Sequence, residues 1–401
     1  MASLCLLLLL PALARSQSVP LTKRINLSNL RRIANVDRER LRALLDEYGV
    51  GRPDGDWNSS VNATDRVVSY TVDADIGIPP TSYSLVVDTG SSNTWVGAGK
   101  AYNETSSSIS TSQHVHVRYG SGHFNGTEYL DTVALSPTLV MHNQSLGVAA
   151  SSGGFTDVDG IIGLGPTALT HSTVEGIETV PTVLDTLVAE HTIPQRVLGI
   201  SFAPHAAAVP GSLSFGAPDP TRCTGPVVYA PVTRSQPARL FLGVDAHMAY
   251  GATSLFGSSM ATGIVDSGTT LILLAPHAFR AYADATGGTR DAATGLLRVR
   301  AAQYATLAPL ELRVGHATLA LTPNAQLFPR ALNAAIGGDP DGYYLIVGDA
   351  GPEAGAVLDF ILGQAFMERF YTVFDSDFEH SDGSSGQVGF APTPYTLDMS
   401  N

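Results

Sequence analysis

Two cysteines, Cys5 and Cys223, are all that the 401-residue sequence contains, and Cys5 lies in an apolar stretch with the look of a removable signal. Its removal leaves one thiol, which excludes an intrachain disulfide framework. Lysine is equally scarce, at Lys23 and Lys100 alone, and from Arg66 onward 14 basic residues stand against 29 acidic ones. A body this acidic repels nucleic acid and anionic membrane surfaces, so neither is expected as a partner. Charged residues make up only 15% of the chain. With abundant Gly, Ser, Thr and β-branched residues, that argues against long charged helices and for a β-rich globular protein. Neither His-Glu-x-x-His nor Gly-x-Ser-x-Gly occurs, so zinc and serine hydrolase mechanisms lack their residues.

Residues 2–14 form an apolar run around Leu6–Leu10 that closes on Ala12-Leu13-Ala14, a small-residue cleavage pattern. The run is too short for a bilayer of roughly 30 Å. It reads as a secretory signal over 1–16; because no basic residue precedes it, a buried helix or an anchor is the other reading. Sequons at Asn26, Asn58, Asn62, Asn103, Asn125 and Asn143 fit a chain on the secretory route, the last five being glycosylation candidates. An extracellular location is expected, with a vacuolar one as the alternative.

Residues 20–45 carry seven basic side chains (Lys23, Arg24, Arg31, Arg32, Arg38, Arg40, Arg42) against Asp37 and Glu39. From Asn29 to Tyr48, Ile33, Val36, Leu41, Leu44 and Tyr48 recur at helical spacing, and Gly49 and Pro53 end the run. An ordinary surface helix satisfies this pattern. Its charge opposes everything downstream, however, which points to a removable pro-segment over 17–57 docked on the acidic body. The remaining length suits two core-forming units, taken as 58–230 and 231–401.

After Arg66 the pattern alternates, as in Val68, Tyr70, Val72 and Ala74, and a second strand-like run covers Tyr83–Val87. Short helices are expected at Val183–Ala189 and His277–Ala285. One motif occurs twice: Leu85-Val86-Val87-Asp88-Thr89-Gly90-Ser91-Ser92 and Gly263-Ile264-Val265-Asp266-Ser267-Gly268-Thr269-Thr270. Downstream of each comes an apolar pair ending in Gly, Ile161-Ile162-Gly163 and Ile361-Leu362-Gly363, so the unit is duplicated. An apolar strand delivers a carboxylate to a loop, Gly permits the tight bend after it, and the intervening hydroxyl can bond the opposite loop. If the halves face each other about a pseudo-twofold axis, Asp88 and Asp266 meet and share one proton, because adjacent carboxylates resist joint ionisation. One then serves as base toward a water that attacks a carbonyl, the other as acid.

In these residues the chain resembles the pepsin family of aspartic peptidases from Arg66 to its C-terminus. The matching stretches are VVDTGSSNTWV (Val86–Val96), YGSGHFNG (Tyr119–Gly126), DGIIGLG (Asp159–Gly165), Ile264–Thr270 and ILGQAFMERFYTVFD (Ile361–Asp375). YSLVVDTGSSNTW, GIVDSGTT, TGLLR and YLIVGD most resemble its basidiomycete fungal members. The resemblance implies an all-β-dominated fold of two pseudo-twofold-related lobes around a deep cleft. It implies catalysis by Asp88 and Asp266, loop-locking hydroxyls on Thr89 and Ser267, and support of the outer carboxylate oxygens by Ser91 and Thr269. It also implies a flap carrying Tyr119, whose hydroxyl bonds the indole of Trp95. The second motif often has Thr where Ser267 stands, which keeps the hydroxyl and alters packing alone. Many animal relatives have the disulfides that this chain lacks.

The flap also follows from the residues. Val115, Val117 and Tyr119 alternate, Gly120-Ser121-Gly122 reverses the chain, and Phe124 begins the return; a plain hairpin with a core Tyr is the bland alternative. Val86 and Ile264, each two residues before an Asp, should face the cleft near Gly90 and Gly268 and favour apolar substrate residues. Family members that accept Lys before the scissile bond carry Asp at the flap position held here by Ser121.

Gly163-Leu164-Gly165 superficially resembles a dinucleotide loop, but Pro166 interrupts it. His114 and His116 share a strand face without a third metal ligand at useful spacing. No cofactor or metal is expected. Protein and peptide substrates, statine-type inhibitors and the chain's own pro-segment are the expected partners of a monomer. The rival functions are a non-catalytic binding protein on this fold, which loss of either Asp or Tyr119 would signal, and a dicarboxylate glycosidase, which has no need of the duplicated motif.

Overall fold

A computed structural model describes residues 16–26, 30, 33–47, 68–119, 122–207, 209–352, 357–379 and 385–399. Residues 1–15 of the signal, Tyr48, Gly49 and Pro53 at the end of the basic run, Asn58 and Asn62, and the flap residues Gly120 and Ser121 lie outside them. No helix among the described residues is long and apolar enough to cross a membrane.

Two eight-stranded sheets dominate, one in each half of the sequence. In the first, Val68–Ile76 pairs antiparallel with Thr81–Asp88, and Asp88 sits at the end of its strand. Ala74 and Ile76 are buried while Asp73 and Asp75 are exposed, as alternation requires. Ser69 and Thr71 break the pattern by being buried too. The cause is the N-terminal segment, whose strand Thr22–Ile25 pairs with Val68–Thr71 and whose Arg24 Nε donates to Thr71 Oγ1 at 3.2 Å.

The duplication inferred from the motifs recurs as matching topology. Thr81–Asp88 runs parallel to Gly160–Gly163, which pairs antiparallel with Trp95–Val96, which runs parallel to Leu139–Gly153. In the second half Ala261–Val265 runs parallel to Phe360–Leu362, which pairs antiparallel with Ile272–Leu274, which runs parallel to Val347–Asp349. The downstream landmarks thus lie beside the motif strands, with Asp88 opposite Gly163 and Val265 opposite Leu362. Both landmark glycines are obligatory by contact: a Cβ on Gly163 would sit 2.3 Å from Ser92 C, and one on Gly363 2.2 Å from Leu271 O.

A six-stranded sheet joins the halves. Its order is Gln17–Pro20, Ser212–Phe215, Val197–Ser201, Phe370–Glu379, Ser385–Pro392 and Val228–Pro231. The chain's own N-terminal strand is therefore an edge of the sheet that ties the two lobes together.

Three helices fall where hydrophobic periodicity and breakers place them. Val183–Ala189 begins with a capping box between Thr182 and Asp185. Pro276–Thr286, one residue longer at each end than expected, starts on a proline and stops at Gly287 with φ of 66°. The N-terminal helix spans Ile33–Glu47. Ile33, Val36, Leu41, Leu44 and Leu45 are buried as expected of an amphipathic helix, yet Asp37 and Arg40 are buried with them. Spacings of three and four put Asp37, Arg40 and Leu44 on one face.

Candidate active site

The two motif loops lock together by reciprocal hydrogen bonds. Thr89 N donates to Ser267 Oγ at 2.9 Å and Ser267 N to Thr89 Oγ1 at 3.0 Å. Each hydroxyl in turn donates to the carbonyl of the opposite strand, Thr89 to Val265 O at 3.3 Å and Ser267 to Val87 O at 3.0 Å. Two glycine bends allow the backbones to approach this closely.

Each carboxylate is held in the same way. Gly90 N donates to Asp88 Oδ1 at 3.1 Å and Ser91 Oγ to Oδ2 at 2.9 Å. Gly268 N donates to Asp266 Oδ1 at 3.0 Å and Thr269 Oγ1 to Oδ2 at 2.6 Å. Both carboxylates are wholly buried. Such fixed donors stabilise a negative charge and orient the oxygens toward a common point.

That point holds the guanidinium of Arg40 from the N-terminal helix. Its Nε donates to Asp266 Oδ2 at 2.7 Å, and one terminal nitrogen donates to Asp88 Oδ1 at 2.7 Å and to Asp266 Oδ1 at 2.8 Å. Only 2% of the Arg40 side chain is exposed. A Cβ on Gly268 would fall 2.2 Å from Arg40 Cζ, and one on Gly90 2.6 Å from its terminal nitrogen, so the motif glycines also make room for the guanidinium. Burial works against the arginine's charge, but Asp266 and Asp88 outweigh it and raise its pKa. The two carboxylates here bracket a cation; the proton-sharing pair expected from the sequence belongs to an arrangement without it.

One helical turn earlier, Asp37 accepts from Thr270 N (3.1 Å) and Leu271 N (2.7 Å), the backbone just after the second motif. Burial pushes its pKa up to about 6, against those two backbone bonds, which lower it. Elsewhere Lys23 Nζ reaches Glu368 Oε1 at 2.5 Å. Arg24 meets the hydroxyls of Thr71 and Ser84.

The flap hairpin pairs Ile109–Tyr119 with Gly122–Ser136, Tyr119 opposite Gly122. Val115, Val117, Tyr119 and Phe124 pack with Trp95, Val86 and Ile161 in a cluster of their own. The Tyr119 and Trp95 rings lie 6.4 Å apart. The implied hydroxyl–indole bond is not formed, since Trp95 Nε1 has no partner among the described residues. The indole instead stacks on Phe124 at 4.4 Å and meets the edge of Phe155, which orients its nitrogen by ring packing.

Val86 borders a cavity of about 450 Å³, together with Phe155, Val158 and the N-terminal residues Arg24 and Ile25. Ile264 is fully buried within the main core. Gln364, not singled out in the sequence, ties the second loop to the first lobe: its Nε2 donates to Ser267 O at 2.7 Å and Val68 O at 3.3 Å. Its place directly after Ile361-Leu362-Gly363 was the available signal. The loop that resembled a dinucleotide motif instead braces the backbone of Asp88, with Leu164 N donating to its carbonyl at 2.8 Å. His114 Nδ1 lies 2.7 Å from Gly126 O, and no group of three potential metal ligands occurs among the described residues.

Two β lobes with a carboxylate loop from each, interlocked at the interface, define an aspartic-type endopeptidase. The sequence profile described as eukaryotic aspartyl protease matches residues 69–391, and the chain belongs to that family. It is 47% identical to polyporopepsin of Irpex lacteus, over 85% of this chain and 99% of that one. It is 28% identical to cathepsin E of Rattus norvegicus, over 81% and 80% of the respective chains. The crystal structure of the aspartic proteinase from Irpex lacteus superposes with a TM-score of 0.79 at 42% identity, covering 96% of this chain and all of that one.

Proposed function

We propose that the chain is made as a secreted zymogen whose mature form cleaves peptide bonds at acid pH with Asp88 and Asp266. The observation that carries this reading is the buried Arg40 guanidinium bonded to both carboxylates. It occupies the place where an attacking water must lie, so the pro-segment and a substrate exclude one another. Acid takes negative charge from the acidic body while the guanidinium keeps its own, so the attraction that holds the basic segment weakens. With the segment gone, a water lies between the two carboxyls, which share a proton. The ionised one takes a proton from the water as its oxygen attacks the scissile carbonyl. The protonated one gives its proton to the carbonyl oxygen, forming a neutral gem-diol, and proton return to the leaving nitrogen completes C–N cleavage. Thr89 and Ser267 hold the loops in register; Ser91 and Thr269 orient the outer oxygens.

Apolar residues are the preferred flanks of the cleaved bond, a reading supported by Val86, which borders the cavity beside Phe155 and Val158, whereas Ile264 lies in the main core. Ser121 offers no charge to a Lys before the scissile bond, which is then costly to bury. Tyr119 on the flap covers the substrate, and Asn103, Asn125 and Asn143 are sites for glycans outside the cleft.

The test is Arg40→Ala in the full chain. Truncating one member of a buried ion-pair cluster costs about 3–5 kcal/mol. The variant should therefore bind a statine-type peptide at near-neutral pH, where the unaltered chain excludes it until acidified. Equal exclusion by both proteins would remove Arg40 from the inhibitory role.

A further inference from the structure

The N-terminal helix fills the cleft with its own side chains, and one of them reports on a wall that a substrate would meet. The helix packs against both the flap strand Ile109–Tyr119 and the strand Val347–Asp349. Two residues before Arg40, the guanidinium of Arg38 lies over Asp349. Its Nε donates to the Asp349 carbonyl at 3.2 Å, and a terminal nitrogen is 3.7 Å from Oδ2. Its aliphatic stem lies on Gly351, where a Cβ would come 3.2 Å from Arg38 Cδ.

Asp349 is preset for this contact. Its Oδ1 accepts from Gly351 N at 3.0 Å, which fixes the carboxylate and leaves Oδ2 for the cleft. Its strand runs parallel to Ile272–Leu274, with Leu274 opposite Asp349, and that strand follows directly on the second motif loop. The carboxylate therefore keeps a fixed position relative to Asp266. Arg290 and Arg42 repel Arg38, and burial also disfavours its charge, so among these influences Asp349 supplies the attraction. The Asp349 side chain is 24% exposed with Arg38 in place, and removal of Arg38 uncovers it further.

We propose that Asp349 is a specificity determinant of the mature enzyme, accepting a basic side chain of the substrate at the second-lobe rim of the cleft where Arg38 now lies. This rests on the reading of residues 17–57 as a removable pro-segment. It concerns the wall opposite the flap and is separate from the pocket beside Ser121. A carboxylate that served only to close the turn at Gly351 would leave substrate choice untouched.

The experiment uses the acid-processed enzyme and peptides with one apolar scissile pair, in which Lys or Arg replaces a neutral residue at each flanking position in turn. For a partly exposed ion pair the preference should be about two- to fivefold in kcat/KM, confined to one position and weakened by salt. Asp349→Asn should abolish that preference and Asp349→Glu retain it, each ratio being taken within one variant so that a change in overall activity cancels. If Asp349→Asn turns over too slowly, the same ratio is read from binding of statine-type peptides with and without the basic residue. An unchanged ratio in Asp349→Asn, or no position with a basic preference in the unaltered enzyme, overturns the inference alone. A processed enzyme that cleaves no peptide at all overturns the zymogen reading and this inference with it.

Discussion

Asp88 and Asp266 end equivalent strands, and each accepts from the glycine N–H two residues on and the hydroxyl three residues on. What surrounds them differs. The flap comes from the first half, and Trp95, Phe124 and Phe155 support it there. The N-terminal helix packs against both halves, but its polar anchors favour the second: Arg40 gives two bonds to Asp266 and one to Asp88, while Asp37 caps the backbone after the second motif. The chemistry of the pair demands symmetry, because either carboxyl must be able to hold the shared proton. Covering the pair does not, so a lid and a plug can attach to different lobes.

The largest expected effect tests the symmetric part. Asp88→Asn and Asp266→Asn each remove one proton-transfer partner while keeping shape, and turnover of the processed enzyme should fall about a thousandfold or more in both. Near-normal turnover in either, with contaminants excluded, would sink the paired mechanism. In the unprocessed chain the two should part company. Asp266→Asn removes the partner of two Arg40 bonds and should admit a statine-type peptide at a higher pH than Asp88→Asn does.

The duplicated unit was legible because strand, carboxylate, glycine and landmark recur in the same order, and each has a local reason to be there. The basic helix was legible as periodicity and charge. Which of its arginines enters the cleft was not, because Arg38, Arg40 and Arg42 are alike in composition and only burial separates them. Asp37 was hidden for the same reason: among basic neighbours it reads as a solvated acid, whereas three-residue spacing carries it inward beside Arg40. The Tyr119–Trp95 bond implied by resemblance failed where aromatic packing, which no motif records, sets the indole's direction. The strands Gln17–Pro20 and Thr22–Ile25 are too short to show a period, and they take their form from the sheet edges they join.

A mid-sized effect comes from Asp37, and its sign is opposite to that of the general charge attraction. Docking raises its pKa from 3.8 to about 6, chiefly through burial. The docked state thus prefers the proton, and docking loses up to about 3 kcal/mol as pH rises through that window. Acid therefore strengthens this contact, whereas the general attraction between the basic segment and the acidic body weakens with it. Asp37→Asn keeps an acceptor for the backbone N–H groups and removes the ionisation cost. The variant should hold its pro-segment more tightly near neutrality and activate at lower pH, with no difference from the unaltered chain below about pH 4. A midpoint of activation that moves upward would show that the charge of Asp37 itself anchors the helix.

The smallest effect discriminates between the two locking hydroxyls. Both accept an N–H from the opposite loop, but Ser267 donates to Val87 O at 3.0 Å whereas Thr89 donates to Val265 O at 3.3 Å. Removing either leaves a buried N–H and a buried carbonyl without that partner, a cost of about 1–3 kcal/mol. Ser267→Ala also removes volume only on the order of one oxygen, and Thr89→Val keeps shape, so cavity terms stay small in both. The shorter bond should make Ser267→Ala the more destabilising of the two in denaturant melts, by less than about 1 kcal/mol. Ser267→Thr, which restores the hydroxyl with an added methyl, should recover the loss if packing tolerates it. If Thr89→Val proves the costlier change, the first loop carries the lock, and the symmetry of the two motifs conceals an order of importance opposite to that of their bond lengths.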